Sequence, residues 1–334
     1  SLADLKERLG SIVVGMTAKK APVRARDLQA HGAMAALLRT ALRPNLVQTL
    51  EGGLAFVHGG PFGNIAHGCS SILGTQCALG LAEYAVTEAG FGSALGAEKV
   101  LNIVCSRLGR GPDAIVLVAT IRSLMHHGEG DLEKGAANLF RHVRHLRSYG
   151  PELVVAINRR PEDCPDEHTH LMELCGAEGV RSVSCDPWAG GGAGCEALAH
   201  EVEAIAAHPV SFRPLYDESM GVLEKLETIV RRVYGGASVE LSDTARRNVE
   251  WAEKHGFGHL PISVAKTQYS VSDDPTRLNA PTDFTVHVRE VRVSAGAGFL
   301  VAVCGEIMLM PGLRKKTTAK AIEVEAQRKK TSMY

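Results

Sequence analysis

Gly59, Gly60 and Gly63 stand in the run Val57-His58-Gly59-Gly60-Pro61-Phe62-Gly63-Asn64, which follows a short apolar stretch from Leu54 to Val57. A strand that feeds a tight glycine turn is how open parallel sheets approach a bound group. Glycines reach positive φ and leave space, and backbone N–H groups point at the occupant. The same spacing also serves an ordinary strand–helix connection, and spacing alone does not separate the two. His58 and His67 bracket the turn, each as a base or as a hydrogen-bonded structural residue. Phe91 sits between glycines in Ala89-Gly90-Phe91-Gly92, where a core phenylalanine finds little support. Glu88 reads as a helix N-terminal charge or as a ligand-shell carboxylate. Farther on, Asn158-Arg159-Arg160-Pro161 follows an apolar run, and Trp188 follows the next one in Asp186-Pro187-Trp188-Ala189-Gly190-Gly191-Gly192. If both runs are strands, these residues share the carboxyl edge of the sheet, where a tryptophan either stacks on a flat ligand or packs helix on sheet. Lys266 to Tyr269 open a polar loop running to Pro275, suited to chemistry or to closure between domains.

The elements that must hold these residues alternate. Leu28 to Leu42 and Leu73 to Leu81 carry helical spacing, and the first stops before Pro44. Ala114 to Thr120 is an uninterrupted apolar run, the mark of a strand buried on both faces in a parallel sheet. Leu153 to Asn158 is a second strand and Val180 to Cys185 a third, with helices over 135–149 and 167–178 between them. This predicts a doubly wound α/β sheet with right-handed crossovers. From Glu218 the texture changes: helices over 220–233 and 242–255 precede extended runs over 284–294 and 299–305, as in a smaller α+β domain.

Charges balance, 37 basic against 37 acidic, which removes the electrostatic argument for nucleic acid or an anionic membrane outside a basic tail, Arg314-Lys315-Lys316 and Arg328-Lys329-Lys330. No apolar run is long enough to span a membrane, and the start does not read as a signal peptide. Eight cysteines stand singly with no Cys-x-x-Cys pair, so no zinc or redox motif is legible and a reducing compartment, cytoplasm or organelle matrix, is expected.

The glycine turn together with Thr87-Glu88-Ala89-Gly90-Phe91-Gly92, Leu95-Gly96-Ala97-Glu98-Lys99, Pro112-Asp113-Ala114-Ile115-Val116, Ala265 to Ser270, Ser272-Asp273-Asp274-Pro275, Ser294 to Phe299 and Met310-Pro311-Gly312-Leu313 resembles formate–tetrahydrofolate ligase in ordered blocks from Leu5 to Leu313. The resemblance implies a P-loop NTPase type of sheet and a reaction in which formate attacks the γ-phosphate of ATP to give formyl phosphate, from which N10 of tetrahydrofolate displaces phosphate. It implies Mg2+ with the ATP, and a monovalent cation as a further candidate. It assigns Gly59, Gly60, Pro61, Gly63, Asn64 and Phe91 to the nucleotide side, and Asn158, Arg160, Pro161 and Trp188 to the folate side. Trp188 matches a stacking aromatic, while Arg160 stands where the family has its opposing phenylalanine; a guanidinium can still stack on a flat ring.

The family's phosphate-binding Gly-x-x-x-x-Gly-Lys-[Ser/Thr] loop is not found, since no Gly-Lys-Ser or Gly-Lys-Thr occurs. Gly96-Ala97-Glu98-Lys99-Val100 is the nearest approach and lacks the hydroxyl. The loop after Gly128 is also shorter than the family's, either by true shortening or because residues are absent from this sequence. The resulting expectation is a chain lacking the phosphate-loop half, catalytically competent only with that half in cis or in trans. The alternative is a non-catalytic descendant serving as a structural subunit of a larger assembly; a homo-oligomer or a subunit of a complex is expected. Three regions are expected: residues 1–130, the remainder of the nucleotide and formyl-phosphate α/β domain; 131–216, a second α/β domain with the folate-side residues; and 217–334, a C-terminal α+β domain with the basic tail.

Overall fold

The computed structural model describes residues 1–305 and Ile307. The Met310–Leu313 block and both basic runs of the tail lie outside the described residues.

In chain order the elements are α1 (Leu2–Ser11), β1 (Val13–Met16), β2 (Pro22–Arg24), α2 (His31–Leu38), β3 (Asn45–Gln48), β4 (Leu54–Val57), α3 (Ile72–Leu81) and α4 (Gly96–Lys99). A π-helical turn, Val100–Cys105, continues α4 into α5 (Ser106–Leu108). Next come β5 (Ala114–Ala119), α6 (Ile121–His127), α7 (Leu132–Arg147), β6 (Glu152–Asn158), α8 (Pro165–Ala177), β7 (Arg181–Cys185), α9 (Pro187–Gly190) and α10 (Glu196–Ala206). The last are α11 (Val222–Ile229), β8 (Ser238–Leu241), α12 (Asp243–Lys254), β9 (Ile262–Ala265), β10 (Thr285–Ser294) and β11 (Phe299–Cys304).

The fold is mixed α/β. β5, β6 and β7 form a parallel sheet in that order, joined by helical crossovers. β6 is buried on both faces from Leu153 to Ile157, with α7, α8 and α10 packed around the sheet. β5 is the exception to the expectation of a strand buried on both faces: it is an edge strand, and Val116 and Val118 are 40% and 62% exposed. An unbroken apolar run signals a covered strand only when both flanks are occupied, and β5 has a neighbour on one side alone among the described residues.

A second sheet has the order β8-β10-β11-β9, with β10 and β11 antiparallel and the outer strands parallel to their neighbours. Helices α11 and α12 cover it. Between the two sheets lies the helix of α4, the π turn and α5. Val100 to Cys105 are buried without exception; five of the six are apolar, and the sixth, Asn102, is hydrogen-bonded. Gly96 opens it because nothing larger fits: a Cβ there would stand 1.8 Å from the Gly90 carbonyl oxygen.

Two connections depart from the sequence reading. β4 belongs not to the parallel sheet but to a ribbon with β3, antiparallel and in register from Asn45 opposite Val57. The hairpin turn is made by Gly52 at φ +86° and by Thr49 N–H donating to the Gly53 carbonyl at 2.8 Å; the Gly-Gly pair before Leu54 is its sequence signal. After Gly128 the chain turns tightly through Glu129 and Gly130, both at positive φ, and Asp131 Oδ1 caps α7 by accepting from Lys134 N–H.

The second sheet is tied to its helices by Lys225, wholly buried on α11. Its Nζ donates to the carbonyls of Glu218, Gly258 and Leu260 at 2.9, 2.8 and 3.2 Å. Lys225→Met strands these acceptors and is expected to cost at least about 2 kcal/mol in urea unfolding; a loss below about half a kcal/mol would show that water replaces the amine.

Candidate functional site

A cavity of about 1190 Å3 runs along β5 between α10 and the segment from Tyr84 to Leu101. Phe91, Ser93, His127, His142, Lys266 and Tyr269 are among its walls.

On the nucleotide side, Gly59 and Gly60 take φ of +76° and +125°, so the turn uses the conformational freedom expected of it. Phe91 takes φ +62° and is 56% exposed. Its ring lies against Gly63: a Cβ on Gly63 would meet Phe91 Cε2 at 2.9 Å. A side chain on Gly63 would therefore displace Phe91 before it reached any ligand space. Pro61 and Asn64 complete the same turn. His58 is structural, held by Ser71 Oγ at 2.6 Å on Nδ1 and by the Ala41 carbonyl at 2.8 Å on Nε2. Glu88 lies in an extended segment rather than at a helix start and lines the cavity.

The residues expected on the folate side follow the ends of two neighbouring strands. Asn158 and Cys185 are register partners at the carboxyl ends of β6 and β7, and Arg159 N–H donates to the Cys185 carbonyl at 2.9 Å. Arg160 and Pro161 follow the first strand end; Trp188 follows the second, on α9. Trp188 is 87% exposed, so it does not pack helix on sheet. Arg160 is also exposed, its backbone N–H held by Asp163 Oδ2 at 2.9 Å.

Three features escaped the sequence reading. Glu51, in the β3–β4 turn, accepts from Gly192 N–H at 2.9 Å and so joins the ribbon that leads to the glycine turn with the glycine run that follows Trp188. The adjacent glycines at 191 and 192 are the signal: a Cβ at either would stand 3.0 Å from a Glu51 oxygen. Lys99, read only as part of a failed phosphate motif, donates from Nζ to the Gly63 carbonyl at 2.5 Å and anchors the turn from within. Lys266, fully buried, donates to the carbonyls of Thr267 and Ser270 at 3.2 and 2.5 Å and lies 5.0 Å from the Tyr234 ring centre.

Glu98 lies among these groups, wholly buried. Burial pushes its carboxyl above the usual carboxylate range, against the pull of Asn102, Lys99 and Lys266. The amine of Lys99 is held below its ordinary value by burial, with Glu98 opposing. A lysine-only, lysine-rich wall would repel protons from every amine in it; one carboxylate between two amines moderates that.

Burial holds Lys266 down to about 7 against an ordinary 10.5. Between those values the unfolded chain binds more protons than the folded one. The lysine's contribution to stability therefore rises as pH climbs from 7 towards 10.5 and is lost as pH falls through the folded value. Lys266→Met lacks that dependence. The stability gap between wild type and this variant, from urea unfolding, is expected to widen in favour of wild type across that window; a gap flat with pH would contradict the burial argument.

Residues 1–333 match the protein family described as formate–tetrahydrofolate ligase. The protein of that name from Paracoccus denitrificans (strain Pd 1222) is 52% identical over 97% of this chain and 60% of its own length. The one from Hyphomonas neptunium is 51% identical over 97% and 60%, and the one from Methylorubrum populi 49% over 97% and 61%. The chain thus spans about 60% of the length of these curated relatives. With half of its residues identical to theirs along nearly all of its length, the chain belongs to the formate–tetrahydrofolate ligase family.

Proposed function

We propose that this chain supplies the folate- and nucleotide-facing part of an ATP-dependent ligase that forms 10-formyltetrahydrofolate from formate. The observation that carries this reading is Trp188, an exposed indole on a glycine-flanked turn at the carboxyl end of β7, beside Asn158-Arg159-Arg160-Pro161 at the end of β6. A large aromatic left in water at a sheet's ligand edge supports a stacking platform for a flat ring. Arg160 supplies the second side of the clamp through its guanidinium plane. The turn from Gly59 to Asn64 and the Phe91 ring offer a backbone-lined wall for the nucleotide, held in shape by Lys99.

Phosphoryl transfer needs donors around the β- and γ-phosphates. We assign these to a phosphate-binding portion that acts with this chain, in cis or in trans, and seats against the open edge of β5. The strand edge without a partner among the described residues and the exposed Val116 and Val118 support that placement. Among the described residues no three His, Cys, Asp or Glu side chains converge on a metal seat.

Tetrahydrofolate is expected to quench Trp188 fluorescence, with Trp251 as the only other indole. Trp188→Ala is expected to weaken folate binding about tenfold or more, the worth of one base-like stack, and to leave stability nearly unchanged because the side chain is exposed. Absence of quenching at millimolar tetrahydrofolate would favour the non-catalytic descendant. The chain by itself is expected to form no 10-formyltetrahydrofolate from ATP, formate and tetrahydrofolate with Mg2+; clear turnover by these 334 residues would sink the shared-site reading.

A further inference from the structure

Ser93, on the cavity wall, is gripped by two histidines of α7. Its Oγ lies 2.7 Å from His142 Nδ1 and 2.9 Å from His145 Nδ1. A hydroxyl carries one proton, so it donates to one ring and accepts from the other. The direction is set at the far end of the chain of contacts. Asn102 Oδ1 accepts from Leu215 N–H at 3.0 Å, which leaves its amide nitrogen facing Glu98 Oε1 and Tyr149 Oη, both at 3.0 Å. Asn102 therefore donates to Tyr149. Tyr149 in turn donates to His145 Nε2 at 3.4 Å, the sole acceptor for this buried O–H among the described residues.

His145 then carries its proton on Nδ1 and donates it to Ser93, and Ser93 donates to His142 Nδ1. The opposite polarity would leave the Tyr149 O–H buried with no acceptor. With Nδ1 accepting, His142 carries its proton on Nε2. That atom has no hydrogen-bond partner among the described residues, and its ring is half-buried on the cavity wall. His127 reaches the same state independently: its Nδ1 accepts from Asn279 backbone N–H at 3.0 Å, and it too lines the cavity.

We infer that His142 and His127 are uncharged, tautomer-locked hydrogen-bond donors that present Nε2–H to the cavity and recognise an oxygen acceptor, carboxylate or carbonyl, on its occupant, and that neither is a general base. The surroundings agree. Burial, with Lys266, His127 and Arg141 as the charged or titratable neighbours, pushes His142 down to about 4. Burial and His126 lower His127. The inference rests on the hydrogen-bond chain and the cavity, not on the ligase reading.

Long-range proton–nitrogen NMR of the chain labelled with 15N-histidine tests it. Both rings are expected as the neutral Nε2–H tautomer at neutral pH, and His142 is expected to stay so well below its ordinary 6.5. Ser93→Ala is expected to release His142 into mixed tautomers, while His127, tied to backbone, stays locked. A His142 proton on Nδ1, or no change in Ser93→Ala, overturns the relay. Formate and formamide, titrated separately, serve as carboxylate and carbonyl probes. A saturable shift of the His142 and His127 Nε2 resonances is expected with at least one, formate preference pointing to help from Lys266. Read on His127, the shift should survive in His142→Gln, which keeps an N–H donor, and weaken several-fold in His142→Phe. No saturable shift with either probe, or equal binding in His142→Phe, overturns the recognition role.

Discussion

Lys99, Lys225 and Lys266 carry their amino groups out of water, and each is satisfied by main-chain carbonyl oxygens. An amine buried without acceptors costs several kcal/mol, so each of these lysines demands that a nearby loop turn its carbonyls inward. The loops so organised are the glycine turn at Gly63, the stretch from Gly258 to Leu260 and the loop from Thr267 to Ser270. Two of the three border the candidate site. Irregular backbone there is as well determined as a strand, because moving it would strip a buried amine of its partners.

The helix from Gly96 to Leu108 gathers these constraints. It begins where only glycine fits, carries Glu98 and Lys99 in its first turn and passes into a π-helical turn that contains Asn102. Asn102 uses both ends of its amide, accepting from Leu215 and donating to Glu98 and Tyr149, so one side chain orients groups from three segments. π-helical turns inside helices recur at functional sites, where the wider turn lets side chains converge that an α-helix would splay apart. The strand ends after β6 and β7 are built differently. Trp188 and Arg160 stand in solvent at strand ends, fixed by register and by Glu51 reaching Gly192 rather than by burial.

What could be read from residues alone followed periodicity. The β5, β6 and β7 runs, the helices between them and the β10 and β11 runs all formed near their expected bounds, because apolar period and helix caps are local signals. The placement of Trp188 beside Asn158 followed from strand order alone. The partner of β4 was missed because a four-residue apolar run reads alike in a parallel sheet and in a hairpin, and the deciding Gly52-Gly53 lay before it. The roles of Lys99, Lys266, Ser93 and His145 were illegible for another reason: each depends on a partner from 36 to 52 positions away or on a loop folding back over it, and no local pattern announces a buried donor.

The open edge of β5 has a bearing on how this chain behaves at high concentration. Its outer row of N–H and C=O groups, without a strand partner among the described residues, is a template for an extended segment, and Val116 and Val118 are apolar rather than charged. Natural edges are blunted by lysine, proline or a bulge, none of which interrupts Ala114 to Ala119. A segment that caps this edge would then act as a solubility factor, because it takes a six-residue template out of reach of other copies.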